Sequence, residues 1–312
     1  SMDEANIYGP SGIIGKLYDG FRRKLDQLPV LKYQNRDPEL FSPAWVPSRV
    51  ISQVNRIDPD LIHLHWVTGG FLTPEVIGDL SSPIVWTLHD MWPFTGGCHY
   101  AKNCKRYTES CGACPHLGSE SMDDLSKTVH QRKNNAWENA SMYIVTPSTW
   151  LSNQAKQSNI FGGSSIKTIP NPVDTNRFQP RSADKIRSRL GLSEEKLLIG
   201  TGADRTTRRK GMDLFYNMLA HEPVPADSAE VLLFGRTREP SRSDLAYDIT
   251  VTGFVDEKTL DKIYTEIDVL VVSSRQEAFG QTASEALASG TPVVAFDTTG
   301  PADIIAHKQT GY

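Results

Sequence analysis

Two acidic residues, Glu277 and Glu285, lie eight positions apart in a segment that predicts a loop followed by a short helix. Glu277 stands before Phe279-Gly280 in the loop, and Glu285 lies one turn into the helix, which ends at Gly290. A helix N-terminus offers unpaired N–H groups and favours anionic ligands. The two carboxylates would then suit the neutral hydroxyls of a ligand whose phosphates bind the N–H groups. A sugar nucleotide has this combination of groups.

Two apolar runs flank the acids, and they predict the strands that position them. Residues 267–274 precede the acids and residues 291–296 follow them. Runs of this kind are typical of parallel strands that are covered on both faces. Open α/β sheets bind ligands at the carboxyl ends of their strands, so the order strand, loop, helix, strand favours a binding site. Without these strands, the same two glutamates would indicate only an exposed helix.

A basic segment follows another apolar run and could bind the phosphates of the same ligand. Arg205 and Lys210 lie in the segment 202–211, directly after a predicted strand. Their side chains can form charge-assisted bonds with a diphosphate, each worth roughly 1.5–3 kcal/mol. The alternative is a basic loop in solvent, and the acid pair downstream makes the binding role the stronger hypothesis. Arg208 and Arg209 are expected at the surface.

Histidines lie on two predicted strands in the first half of the chain. His89 and Asp90 come at the end of one strand, where a side chain faces the ligand crevice of a parallel sheet. His63 and His65 alternate along the strand 61–66 and therefore point to one face of it. His65 is nearer the carboxyl end and could line the acceptor side. A structural role in packing is the alternative for each histidine.

All four cysteines fall within one loop-like segment. They are Cys98, Cys104, Cys111 and Cys114, with the spacing C-x5-C-x6-C-x2-C. Four thiols could bind a structural Zn²⁺ ion tetrahedrally, and C-x2-C is a common ligand spacing. Two disulfides or free thiols are the alternatives, and disulfides are disfavoured in a cytoplasmic chain. The pattern does not indicate a catalytic metal.

Size and charge exclude some classes of protein. The chain has 312 residues, a formal net charge of −4 and a sequence pI near 6.1. This length accommodates two α/β domains, and the charge argues against a dedicated nucleic-acid binder. No apolar run reaches the length of a membrane span, so we expect a cytoplasmic protein. The basic cluster 21–24 on a predicted amphipathic helix, 15–28, indicates a solvated face or, as the alternative, peripheral contact with the inner face of the membrane.

Strands and helices alternate along both halves of the chain. This order predicts an α/β protein of two Rossmann-like domains whose parallel sheets face a central cleft. The turn-rich segment 170–178 places the boundary between a first domain, 1–170, and a second domain, 171–312. The expected strands are 61–66, 84–88, 142–145, 166–169, 197–201, 230–234, 249–252, 269–272 and 293–296.

The C-terminal pattern resembles the signature of retaining glycosyltransferases of family 4, which have the two-domain GT-B fold. Arg205 and Lys210 resemble the Arg-x4-Lys-Gly diphosphate clamp of that family. The run 87–98, TLHDMWPFTGGC, resembles a bacterial branch associated with surface-polysaccharide assembly. The residues that match the C-terminal signature are Asp268, Ser273-Ser274, Glu277, Phe279-Gly280, Glu285-Ala286, the segment 290–295, Gly300-Pro301 and the segment 307–311.

The resemblance implies that 1–170 is an acceptor-side domain and 171–312 a nucleotide-sugar-binding domain, and it implies roles for the matching residues. Glu277 would contact the donor sugar, and Glu285 the ribose of the nucleotide. His89 would contact the sugar beside the anomeric carbon, and Asp90 would orient His89 or contact the acceptor. No metal cofactor is implied, because basic side chains and the helix dipole would stabilise the departing diphosphate. The implied donor-binding residues besides Glu285 are Gly202, Arg205, Lys210, Phe279, Gly280 and Gln281.

The implied reaction transfers a hexosyl group, with retention of configuration, from a nucleotide sugar to a glycan or lipid-linked acceptor in cell-envelope or exopolysaccharide biosynthesis. Family members usually have an earlier strand with a glycine-rich loop and continue beyond the segment 307–311, so we expect part of the family's length to be missing at both ends. Two alternatives stay open: a sugar-nucleotide epimerase of the same fold, and a non-catalytic nucleotide-binding module. A binding module would hold a nucleotide without cleaving its sugar bond.

Overall fold

Two β-sheets, one of four strands and one of five, organise the chain. The computed structural model of the protein describes residues 20–48, 50–181, 186–203, 208–236 and 245–312. The chain divides into two compact units, the first comprising Ser1–Thr146 and Ser152–Lys167 and the second Pro147–Leu151 and Thr168–Tyr312. Arg205, one of the expected phosphate ligands, lies outside the described residues.

The four-stranded sheet has the order β1-β2-β3-β4. Its strands are β1 Ile62–Leu64, β2 Ile84–Thr87, β3 Met142–Thr146 and β4 Ile166–Thr168. β1 pairs with β2, and β2 with β3, in parallel. The helices of this half of the chain are α1 Val50–Ile57, α2 Pro74–Gly78, α3 Leu125–Trp137 and α4 Thr149–Gln157. Each strand overlaps an expected one, so the alternation predicted for this half is confirmed.

Tryptophan side chains form the core beside this sheet. Trp86 on β2 is fully buried, and its ring meets that of Trp137 on α3 edge-on, with centroids 5.2 Å apart. The ring of Trp92 lies 6.4 Å from that of Trp86. Trp86 Nε1 donates to His65 O at 3.0 Å, and the other two indole N–H groups also reach backbone carbonyl oxygens. Buried indoles need such partners, and here the bond from Trp86 fixes the backbone at His65.

The five-stranded sheet has the order β7-β6-β5-β8-β9, and all of its pairs are parallel. Its strands are β5 Leu197–Ala203, β6 Ala229–Gly235, β7 Asp248–Gly253, β8 Val269–Val272 and β9 Val293–Ala295. The helices are α5 Ile186–Leu190, α6 Met212–Ala220, α7 Glu257–Glu266 and α8 Gln281–Ala288. Counted within this unit, the strand order is 3-2-1-4-5, as in one half of a Rossmann fold.

This strand order brings the two candidate phosphate-site and sugar-site segments together. Strand order reverses between β5 and β8, and ligands of open α/β sheets bind outside the carboxyl ends of the strands at such a point. The basic segment follows β5 and the acidic segment follows β8. Two segments that are far apart in sequence therefore become neighbours.

Both faces of the five-stranded sheet are covered, which explains why its strands are almost continuously apolar. On β5, Leu198 belongs to one buried cluster, with Leu270 of β8 and Ala283 of α8. The next residue, Ile199, belongs to a second cluster, with Phe215 of α6. Successive side chains of a strand point to opposite faces, so helices on both sides bury them. The predicted α/β architecture with two Rossmann-like sheets is confirmed.

The first helical segment exposes Arg23 and Lys24, as expected of a solvated basic face, but it buries Arg22. Residues 20–26 are helical, but Arg22 is buried and donates to Phe71 O at 3.3 Å, whereas Phe21 is 57% exposed. Asp26 is fully buried and accepts a hydrogen bond from a backbone N–H. These contacts turn polar groups of the segment inward. Across the described ranges, no helix has the length and apolar character needed to cross a membrane.

Candidate active site

Two loops meet at the carboxyl ends of β5 and β8. We call residues 208–211 the basic loop and residues 273–280 the acid loop. Arg275 N donates to Arg209 O at 2.8 Å, and Arg275 Nη1 donates to Arg208 O at 2.7 Å. Ser273 Oγ donates to Lys210 O at 3.2 Å. These bonds hold the basic loop to the acid loop along its length.

The close approach of the loops requires a glycine after Lys210. Gly211 has a φ of +67° and begins α6. A Cβ atom at this position would lie 1.8 Å from Ser273 O, so any other residue would separate the loops. The Lys-Gly pair in the sequence therefore has a structural reason, since the glycine lets the lysine reach the acid loop.

Glu277 is the centre of this contact. Lys210 Nζ donates to Glu277 Oε1 at 2.6 Å, and Arg209 Nη1 donates to Glu277 Oε2 at 3.0 Å. Burial alone would raise the pKa of Glu277, but the Lys210 ammonium and the Arg209 guanidinium together hold it below its ordinary value. The acid is thus ionised, and it is neutralised by two cations of the neighbouring loop.

Arg209 was expected at the surface, and the structure corrects this. Its guanidinium is 20% exposed, bonds Gln276 O at 2.8 Å and pairs with Glu277. The role of Arg209 was missed from the sequence because the family pattern specifies the neighbouring Lys210 and not Arg209. The adjacent positions of Arg209 and Lys210, at the end of a loop that must meet an acid, are the signal that could have found it.

Helix α8 begins at the end of the acid loop, as predicted. Gly280 precedes its first turn with a φ of +112°, and no side chain caps this end. The first amide groups of an uncapped helix are available to an anionic ligand. Glu285 accepts hydrogen bonds from Tyr264 Oη and Gln281 Nε2, each at 3.2 Å. Burial raises the pKa of Glu285, and no cation lies within ion-pair distance of it in the described ranges.

Three further expected donor-site residues have structural explanations. Phe279 is buried, and Gly300 packs so closely that a Cβ there would lie 2.2 Å from Phe279 O. A Cβ at Gly202 would lie 2.2 Å from the ring of Phe234, so this glycine makes room for an aromatic side chain. Gln281 is exposed and bonded to Glu285. Contact of these residues with a donor stays a prediction.

Three histidines form a contiguous group in the first unit. His65 Nδ1 lies 2.9 Å from His89 Nε2, and His63 Nε2 lies 2.9 Å from Thr87 Oγ1. The rings of His63 and His65 are 4.2 Å apart. Partial burial, and then the charge of the neighbouring imidazoles, lowers the pKa of His65. Burial also lowers the pKa of His89, so His65 and His89 are neutral at ordinary pH.

Asp90 bonds within its own loop. It is buried, and it accepts from Trp92 N at 2.8 Å and from His99 Nδ1 at 2.6 Å. Burial acts to raise the pKa of Asp90, but His99 holds it below its ordinary value. His99 Nε2 in turn lies 2.9 Å from Ser42 Oγ. The carboxylate therefore orients His99, and the expected orientation of His89 by Asp90 is not among its contacts.

The four cysteines lie together, and none is in a disulfide. Cys98, Cys111 and Cys114 are buried, and Cys104 is half-buried. Burial raises the pKa of Cys98 and of Cys114, and it raises that of Cys111 to about 12. As the side chains stand, no three ligand-type groups in the described ranges are placed to share one metal ion. The zinc site stays a prediction.

Comparison with known proteins decides the family. A model described as Glycosyltransferase Family 4 matches residues 15–177, more than half of the chain, and one described as Glycosyl transferases group 1 matches residues 195–312. The chain belongs to glycosyltransferase family 4. The family implied by the C-terminal signature is thereby confirmed, and both the basic loop and the acid loop fall within the second match.

Individual relatives of this family 4 chain differ in what they make. Mannosylfructose-phosphate synthase from Agrobacterium fabrum is 35% identical over 147 residues, which cover 41% of this chain and 32% of that protein. The putative colanic acid biosynthesis glycosyl transferase WcaC from Escherichia coli is 25% identical over 218 residues, which cover 68% of this chain and 51% of that protein. The family 4 chain therefore spans about half or less of the length of these curated relatives.

A solved structure shows the fold of the family 4 chain. HepE from Anabaena in complex with UDP-glucose matches with a TM-score of 0.60 and 20% identity, covering 85% of this chain and 66% of that one. At this identity the likeness establishes the fold and nothing about residue roles. The expected GT-B fold class is confirmed.

Proposed function

We propose that this chain is a retaining, metal-independent hexosyltransferase that uses a nucleotide-sugar donor and a glycan or lipid-linked acceptor. The observation that carries the proposal is the pairing of Lys210 and Arg209 with Glu277 directly before the uncapped N-terminus of α8. An anion site and a buried carboxylate beside it match the two halves of a sugar nucleotide. Family membership supports the reaction class.

The diphosphate of the donor binds at the first turn of α8 and to Lys210. Lys210 Nζ donates to Glu277 Oε1 at 2.6 Å, so an incoming phosphate competes with this carboxylate for the ammonium. A phosphate carries more charge than a carboxylate and also gains the helix amides. As the glycosidic bond to the phosphate breaks, the same groups stabilise the negative charge that develops on the leaving diphosphate.

Glu277 then holds the sugar. Once its cations turn toward the phosphate, its oxygens can accept hydrogen bonds from sugar hydroxyls. Burial raises the pKa of the Glu285 carboxyl, and Tyr264 Oη donates a hydrogen bond to it. This carboxyl accepts hydrogen bonds from the ribose hydroxyls. His89 contacts the sugar next to the anomeric carbon, with His65 fixing its ring through the bond to Nε2. In a retaining transfer the leaving phosphate oxygen helps to deprotonate the acceptor hydroxyl on the same face.

The proposed pathway is cell-envelope or exopolysaccharide assembly. The relative from Escherichia coli is named for colanic acid biosynthesis, and HepE binds UDP-glucose. These names support a nucleotide-sugar donor and a polysaccharide product, and the cytoplasmic face of the membrane is the proposed place of action. A lipid-linked acceptor would require peripheral contact with that membrane.

The test begins with calorimetric titration of the chain with UDP, GDP and ADP and their sugar conjugates. We expect saturable binding of one base, weakened about tenfold or more in Lys210→Ala because a charge-assisted bond is lost. Lys258→Ala, an exposed lysine on α7, is the matched control and should bind normally. Binding by neither protein, with both folded by circular dichroism, would overturn the proposal.

Turnover separates the transferase from the two alternatives. A transferase releases the nucleoside diphosphate and passes the sugar to an acceptor or to water. An epimerase changes the sugar while it stays attached to the nucleotide, and a binding module leaves the donor intact. Proton NMR of the glycoside formed reports its anomeric configuration, and inversion would overturn the retaining assignment.

A further inference from the structure

All four cysteines of the chain line one small cavity in the first unit. We call Cys98, Cys104, Cys111 and Cys114 the thiol cluster. The segment that carries them connects the loop after β2 to α3. A metal-binding site or a redox site requires several thiols that face one space, whereas a packed apolar core does not require them.

A histidine of the same cavity has no partner at normal hydrogen-bond geometry for its ring nitrogens within the described residues. His116 is 5% exposed and lines the cavity with the thiol cluster. The backbone of Tyr100 acts on the ring, yet neither ring nitrogen of His116 reaches a partner at normal hydrogen-bond geometry in the described chain. A buried polar group without a partner costs about 1–3 kcal/mol. A sulfur that carries negative charge would be an acceptor for this ring.

A buried lysine stands beside the same cluster. Lys133 is fully buried, bonds the carbonyl oxygens of Trp92 and Thr95, and lies 3.7 Å from the centroid of the Trp92 ring. Within the described ranges, no carboxylate lies within 4.0 Å of its Nζ. Cys111, Cys98 and Asp90 act on it electrostatically, Asp90 from beyond that distance. A buried ammonium is costly, and thiolates at Cys111 and Cys98 would add counter-charge that neutral thiols do not supply.

We infer that the thiol cluster binds one soft divalent cation of the zinc class, with its four thiolates as ligands and Lys133 as the buried counter-ion. Four thiolates and one divalent cation carry a net charge of about −2, which offsets the ammonium. His116 donates its ring N–H to a ligand sulfur, as ring and backbone N–H groups do around such centres.

The site is structural. Cys111 and Ala113 have φ values of +57° and +40°, so the turn between two of the ligands is held in a conformation that these residues rarely adopt. Bonds from both ends of this turn to one ion would hold it there. The four sulfurs line one cavity but are not at ligand distances from a single point. Metal binding removes the thiol protons and would draw the sulfurs together.

The first experiment uses the whole chain, purified without chelator. We expect about one zinc ion per chain by inductively coupled plasma mass spectrometry, and four thiols that react with a thiol reagent only after denaturation with chelator. Ser165→Cys adds an exposed thiol outside the cluster and calibrates the reagent, since that thiol should react at once. Four freely reactive thiols without metal, or thiols that react only after reduction, would overturn the proposal.

Variants then test each ligand and the counter-ion. Cys111→Ser and Cys104→Ser should each lose the metal, whereas His116→Gln should keep it. Lys133→Met should weaken retention against a competing chelator by about tenfold or more, as loss of an outer partner does at other metal sites. Retention in Cys104→Ser with loss in His116→Gln would overturn Cys104 as a ligand.

If the cysteine variants do not fold, the wild-type chain still answers the question. Exchange of the bound metal for Co²⁺ should give the visible bands of a tetrahedral site and thiolate-to-cobalt charge transfer. Cobalt bands of an octahedral, oxygen-bound ion would contradict a thiolate site.

Discussion

The two units place their buried carboxylates in different surroundings. In the first unit, Asp90 and His99 pair at 2.6 Å, and their side chains are 10% and 6% exposed. In the second unit, Glu277 is 13% exposed, but its partners Lys210 and Arg209 keep 23% and 20% of their surface. A cation that still reaches solvent can exchange a carboxylate for a ligand phosphate. The Asp90–His99 pair is shielded from solvent on both sides and cannot exchange partners in this way, so its role is to hold the loop after β2.

The largest expected effect comes from breaking the closed pair. Asp90→Ala should lower the free energy of unfolding by about 3–5 kcal/mol, because it leaves His99 and the N–H of Trp92 buried without their partner. Chemical denaturation measures this change. The control is Asp123→Ala, whose side chain is 85% exposed and whose surface pair with Lys127 should contribute little to stability.

The same variant decides between the structural and catalytic roles of Asp90. Activity per folded molecule should change little if the carboxylate only orients His99. A loss of about a hundredfold in kcat with normal stability would show instead that Asp90 acts on the substrate or on His89.

The next effect concerns the exchangeable group of the second unit. Glu277→Gln should lower kcat by about tenfold to a hundredfold, since a charge-assisted contact with the sugar is lost. Nucleotide affinity should stay within about threefold, because Lys210 and Arg209 are released for the phosphates. Steady-state kinetics and calorimetry together measure both quantities. A large loss of nucleotide affinity would mean that Glu277 positions the basic loop and does not contact the sugar.

A smaller effect is expected at the second acid. Glu285→Gln should weaken nucleotide binding by about tenfold, because the ribose hydroxyls lose a charged acceptor. The exposed Glu257→Gln, at 86% side-chain exposure, is the matched control and should bind normally. Titration with the nucleoside diphosphate, which lacks the donor sugar, measures the contact between Glu285 and the ribose without any contribution from the sugar. Unchanged binding in Glu285→Gln would remove the residue from the nucleotide site.

The smallest effect is a pH dependence of the histidine group. The pKa values of His65 and His89 are lowered in the folded chain, so their contribution to stability is present above the unfolded value of about 6.5 and is lost as pH falls below it. The melting temperature of the wild type should fall between about pH 6.5 and 5 more steeply than that of His65→Gln. His221→Gln, an exposed histidine, should keep the wild-type slope.

Most of the strands could be predicted because their apolar runs are local and unambiguous. The strand 269–272 was placed at the residues where β8 lies, since both faces of β8 are covered and its side chains are all apolar. The helix over residues 281–288 followed from its position between a loop and Gly290. The solvated basic face predicted for the first helical segment holds for Arg23 and Lys24 but not for Arg22. Arg22 bonds a carbonyl oxygen 49 residues away, and no local pattern reports such a contact.

The contacts of the candidate site were predicted only in part. Residue type and spacing singled out Lys210, Glu277 and Glu285, whose donor roles stay predictions, and the structure pairs Lys210 with Glu277. The other partners that set the properties of these side chains were not predicted. Arg209 and Tyr264 reach the acids from 68 and 21 residues away in sequence, across neighbouring elements. Gly211 matched a pattern, and its physical reason, the carbonyl oxygen of Ser273, is visible only in the structure.

By itself, the sequence determined the alternation of strands and helices, the chemistry available after β5 and β8, and the grouping of four cysteines. These features depend on neighbours along the chain, where periodicity and residue type are enough. The tertiary structure alone decided which charges are paired, which are buried and which stay accessible to solvent. Those properties follow from distance and burial between segments that the strand order brings together, and charge interactions depend steeply on both.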